Sequence, residues 1–133
     1  MKQIIKKIVS VALIIVIAFG ATYAVGEAVQ QPKTVKAASY GKRMAKQKAK
    51  EYLRAMAFSK KGLYDQLRFE GFTKKQAKYG VKHCGANWKK QAYKKAKEYL
   101  RSMSFSKKGL YDQLRFEGFT KKQAKYGVRK AYR

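Results

Sequence analysis

The chain is poor in the residues that usually build an active site or a metal centre. Of its 133 residues one is cysteine, one histidine and one proline, and only seven are acidic. The lone cysteine, Cys84, excludes an internal disulfide framework. A lone histidine, His83, leaves a structural zinc site short of its four ligands. His83 and Cys84 are sequence neighbours, but adjacent residues on a helix point about 100° apart and do not face each other. The repeated acids, Asp65 with Glu70 and Asp112 with Glu117, have the residue types for acid–base work. Set among lysines and arginines such as Arg68, they read instead as surface ion pairs of small energy. The expectation is a protein that is not an enzyme and needs no cofactor.

What the chain does have is positive charge, 33 Lys and Arg giving a formal +26. Such an excess disfavours compaction by self-repulsion and favours polyanionic partners. An acidic protein, an anionic cell-wall polymer, lipid headgroups and nucleic acid all qualify on charge. Taken from residue 38, the chain still carries 28 basic against 6 acidic side chains.

The amino end reads as a targeting segment. Lys2, Lys6 and Lys7 precede a run from Ile8 to Val25 that is mostly apolar and free of charge. Its length sits near the border between the core of a signal peptide, about 7–15 residues, and a spanning helix of roughly 17–25. Small residues at Thr22-Tyr23-Ala24 and Val35-Lys36-Ala37 suit cleavage, and the pattern favours a cleaved signal ending near Ala37 over an uncleaved anchor. Residues 1–37 are thus a signal peptide or membrane anchor. Either way the remainder is expected outside the cell, secreted or on the outer face of the membrane. That export disfavours nucleic acid as the partner.

A duplication organises the rest. Residues Lys48 to Val81 recur as Lys95 to Val128, 47 positions on, and two of the 34 pairs differ: Ala55/Ser102 and Ala57/Ser104. An internal repeat sets the architecture. Ala45, Ala49, Tyr52, Leu53 and Met56 fall on one helical stripe, repeated by Ala92, Ala96, Tyr99, Leu100 and Met103. Ser59 is placed to cap a second helix from Lys60 to about Glu70, with Phe58 and Leu63 as a staple. Gly71 ends that helix. Thr73 with Gln76 fits a capping box opening a third helix, whose apolar face is Ala77, Gly80, Val81 and Cys84. Gly62, awkward in a helix, suggests close approach by a neighbour. Asn87 caps a long helix from Trp88 to Met103 that enters the second unit. The spacing predicts an all-α fold: two tandem three-helix, helix-turn-helix-like repeats joined by a long helix. The expected divisions are a linker over 38–43, a first repeat over 44–86, and the connecting helix with the second repeat over 87–133.

Met56-Ala57-Phe58-Ser59, Gly62-Leu63, Gln66-Leu67, Glu70-Gly71-Phe72-Thr73 and Gln76-Ala77, followed by Tyr79, Val81 and Cys84-Gly85-Ala86-Asn87-Trp88, resemble the host cell surface-exposed lipoprotein (Ltp) family. The resemblance spans residues 44–129. It implies tandem helix-turn-helix-like units displayed outside the membrane. It also implies, from some members, exclusion of superinfecting phage by blocking DNA entry through contact with a phage tape-measure protein. No cysteine closes the amino-terminal segment, where lipoproteins carry their lipid, since Cys84 lies within the first unit.

The second arm of each helix-turn-helix offers Lys74, Lys75, Lys78 and Tyr79, and in the second unit Lys121, Lys122, Lys125 and Tyr126. These are the candidate binding residues. In the first unit that arm, Lys74 to Cys84, lacks the Arg or Asn that reads bases, so any nucleic-acid contact would be mostly phosphate-directed. Tyr79 and Tyr126 fall off the Ala77–Val81 face, whereas the other repeated tyrosines read as packing. The residues point to an exported tandem binder holding an acidic or anionic macromolecule on two equivalent basic faces, where joint binding multiplies weak contacts.

Overall fold

The structure is a computed structural model and describes residues 35–133. The expected signal or anchor segment lies outside the described residues except for its last three. Six helices follow in order: α1 Val35–Ala55, α2 Lys60–Phe69, α3 Lys74–His83, α4 Trp88–Ser102, α5 Lys107–Phe116 and α6 Lys121–Ala131. The first three form one repeat and the last three the other, as the duplication predicts.

One boundary differs. Residues 38–43, expected as a linker, are helical, because α1 starts at Val35. The apolar stripe begins earlier than Ala45. Gly41 is one turn before it and is buried under α3, so close that a Cβ there would meet Gln76 Nε2 at 2.0 Å. The long helix of the pair is therefore α1, of 21 residues, and the connecting α4 has 15.

Local signals set the remaining ends. Ser59 Oγ accepts from the Gly62 N–H at 2.9 Å, and Ser106 does the same for Gly109. Asn87 caps α4 by accepting from the Lys90 N–H at 3.1 Å. Thr73 with Gln76, and Thr120 with Gln123, form complete capping boxes. At the turn of each unit the chain takes a left-handed glycine, Gly71 at φ 91° and Gly118 at φ 96°. The Gly71 N–H then reaches the Arg68 carbonyl and the Phe72 N–H the Leu67 carbonyl, at 3.1 and 3.2 Å, the paired bonds of a Schellman end.

Each core is built from small and branched side chains. Ala45, Ala49, Tyr52, Leu63, Leu67, Ala77 and Val81 are buried in the first repeat, as are Ala92, Ala96, Tyr99, Leu110, Leu114, Ala124 and Val128 in the second. Each buried leucine supplies about 1.5–3 kcal/mol of transfer free energy. The alanines let the first and third helices of a unit lie almost backbone to backbone. A Cβ on Gly80 would stand 2.7 Å from the Ala45 carbonyl oxygen, and one on Gly127 2.7 Å from that of Ala92. The close approach expected at Gly62 belongs to these two glycines, which read from sequence only as members of an apolar face. At Gly62 itself the nearest atom to a Cβ would be its own cap, Ser59 Oγ, at 3.1 Å.

Candidate functional site

The basic candidates stand where the periodicity puts them. Lys74, Lys75 and Lys78 are exposed on the first turns of α3, and Lys121, Lys122 and Lys125 on those of α6. Tyr79 and Tyr126 are half-buried. The two tyrosines differ in company. Tyr79 stacks on His83, ring centroids 4.2 Å apart, and Lys42 lies 5.7 Å from its ring centre. The only histidine is thus engaged with an aromatic ring. Cys84 turns inward, its thiol donating to the Val81 carbonyl at 3.3 Å. Among the described residues no group of three or more His, Cys, Asp or Glu is placed to hold a metal ion.

Two exposed aromatics escaped the sequence reading. Phe69 is 67% exposed and Phe116 55%, at equivalent positions beside the glycine turn. The signal was present: both fall about 200° around the helix from Leu67 and Leu114, on the opposite face. Each unit therefore offers one phenylalanine to solvent next to the basic arm.

The acids correct another expectation. Asp65 and Asp112 do form exposed surface pairs, with Lys61 and Lys108 at 2.6 Å. Glu70 and Glu117 also pair with lysines, Lys48 and Lys95 at 3.9 Å, but they do more than that. Each accepts a short hydrogen bond from a core tyrosine, Tyr52 and Tyr99 respectively. Gln66 and Gln113 bind the same hydroxyls at 3.1 and 3.0 Å. Burial, reinforced by the hydrogen bond to Glu70, drives the Tyr52 phenol well above its usual range. Burial also pushes the Glu117 carboxyl up to about 7, against the opposing pull of Lys95 and with some help from Glu98. Arg68, read as a partner of these acids, instead donates to the Phe72 carbonyl, and Arg115 donates likewise to that of Phe119.

The units meet at an elbow, Ala57-Phe58-Ser59, which docks on the second repeat. The Ala57 N–H donates to Glu98 at 2.9 Å, and Ser59 Oγ donates to the Glu117 carbonyl at 2.5 Å. Lys95 lies 5.9 Å from the Phe58 ring centre. The joint closes over the second unit's turn, where Phe119 is wholly buried while its counterpart Phe72 is only half-buried.

At the other end an open cleft of about 440 Å³ lies between α5 and α6. Lys107, Tyr111, Lys125, Val128, Arg129, Tyr132 and Arg133 line it. Of the candidate binding residues only Lys125 reaches it.

Duplicated three-helix units of this kind, basic outside and small-residue inside, define a tandem helical-repeat protein. The chain belongs to the host cell surface-exposed lipoprotein (Ltp) family, whose pattern it matches twice, over residues 41–84 and 87–130. A similar solved structure is that of Ltp, a superinfection exclusion protein from the Streptococcus thermophilus temperate phage TP-J34. The two share 36% identity over 67% of this chain and 93% of that one, with a TM-score of 0.64. No curated protein matches the chain.

Proposed function

We propose that the chain is a non-enzymatic cell-surface protein that excludes superinfecting phage by binding an acidic phage component and so blocking DNA entry. The observation that carries this reading is the likeness to a superinfection exclusion protein over nearly that protein's whole length. The charge supports the chemistry of the partner: two copies of a lysine-rich arm, each beside an exposed phenylalanine, suit an acidic protein surface with apolar patches. The family's name agrees with display at the cell surface.

The test is to express the chain in a phage-sensitive host and score phage adsorption and DNA entry separately. Normal adsorption with DNA entry blocked is the expected result. Unchanged DNA entry, with the protein held on the envelope and released by salt, would replace this reading with binding to an anionic wall polymer or lipid headgroups.

A further inference from the structure

The carboxyl-terminal cleft belongs to one unit alone. Lys107 and Tyr111 reach it from one face of α5, one turn apart, and Lys125, Val128 and Arg129 from one face of α6. Tyr132 forms its end wall. The Tyr132 N–H bonds the Val128 carbonyl at 3.2 Å, and its hydroxyl donates to the Phe105 carbonyl on the loop before α5. Lys107 lies 5.7 Å from the Tyr132 ring centre. The ring is thus fixed at both ends, and no Asp or Glu side chain is among the lining residues.

The first repeat has the start of the same site but not the whole. Lys60, Tyr64, Lys78 and Val81 repeat the inner residues, and Lys82 stands for Arg129. Gly85 and Ala86 stand where the second unit has Tyr132 and Arg133. Gly85 is left-handed, at φ 75°, with open space where a side chain would be. The end wall and both arginines are therefore additions of the second unit.

We propose that this cleft seats a segment of an acidic protein partner that carries an apolar side chain between carboxylates. The inference rests on the reading of the chain as a binder of an acidic protein. Its floor of Tyr111, Val128 and Tyr132 is apolar, and its rim of Lys107, Lys125, Arg129 and Arg133 is cationic. A simple anion would use the rim and leave the floor idle. An acidic segment with a phenylalanine or leucine uses both. Arginine is the better rim residue for this purpose, because its planar fork holds a carboxylate through two parallel hydrogen bonds. Exposed ion pairs alone contribute little, so the aromatic seat gives the site its selectivity, as anchor pockets do at interfaces.

The test is fluorescence anisotropy on the exported chain with two labelled probes of equal length and charge. One is a peptide of Asp and Glu with a central Phe, and the other is polyglutamate. The Phe peptide should bind at least tenfold more tightly. Arg129→Gln with Arg133→Gln should weaken it tenfold or more, as should Tyr132→Ala. Tyr132→Phe, which keeps the ring, should stay within about threefold. Lys60→Gln with Lys82→Gln removes the same charge from the first repeat and should cost no more than about twofold. Equal binding of the two probes, with equal losses from both double variants, would overturn the cleft and leave an acidic partner held by diffuse charge. Failure of both probes to bind at low salt would sink the cleft and the acidic-partner reading together.

Discussion

The two repeats are one sequence in two settings, and the setting decides what each residue does. Ser59 is 2% exposed and ties the elbow to Glu117, whereas Ser106, with the same neighbours in sequence, is exposed and only caps its helix. Phe119 is sealed where Phe72 is half open. Of the two positions at which the 34-residue copies differ, one lies in the joint. Ala57 is 1% exposed there, and its counterpart Ser104 is in solvent. A hydroxyl is costly where no partner meets it and harmless in water, so the divergence follows the burial. The lesson is that the duplicated fold is local, made within each unit, and that the differences arise where one unit leans on the other.

The largest expected effect tests the local half of that statement. Gly80→Ala and Gly127→Ala would normally help a helix by about 1 kcal/mol. Here each forces a methyl against the backbone of the facing helix, and each should destabilise by about 3 kcal/mol. Chemical denaturation should find the two costs alike. A stabilised or unaffected variant would mean that the helices do not pack this closely.

Glu117 tests the other half. Its folded carboxyl titrates near 7, above the usual 4.5, so the folded chain keeps a proton that the unfolded chain has released. Stability should therefore fall as pH rises from about 4.5 to 7, by on the order of 3 kcal/mol from this group. Glu117→Gln should remove that decline while keeping an acceptor for Tyr99. Thermal unfolding from pH 4 to pH 8 reads it directly, and an unchanged slope in the variant would show that the carboxyl is not held neutral by burial.

The serines give the smallest and sharpest contrast. Ser106→Ala loses a helix cap, worth about 1 kcal/mol. Ser59→Ala loses the same cap and also the bond to the Glu117 carbonyl, so it should cost about 1 kcal/mol more. Equal losses in paired denaturation curves would dissolve the joint as an energetic feature.

The sequence made the local features legible. Ser59, Thr73 and Asn87 announce their helices, and Gly71 ends one, because each acts on backbone within four residues of itself. The start of α1 was obscured because the apolar stripe is visible only from Ala45 on, and Gly41, which packing places on the same helix, carries no side chain to extend it. The burial of Glu117 was not legible at all. Its sequence context matches that of Glu70, and what separates them is an elbow arriving from 58 residues away. Nor was the cleft, since Tyr132 and Arg133 lie beyond the duplicated stretch, and their use depends on where α5 and α6 converge. The basic arms are exposed as their periodicity implies, whereas the exposure of Phe69 and Phe116 runs against their apolar character and shows only in their place opposite Leu67 and Leu114.

The elbow also gives the molecule a direction. Its bonds run one way, from the first unit's loop to α4 and the turn of the second unit, so the two halves are donor and receiver, not mirror equivalents. A permuted chain with the halves exchanged would put Ser104 where an alanine is sealed and leave Ala57 facing water. Near-identical halves are, for this protein, not spare parts for one another.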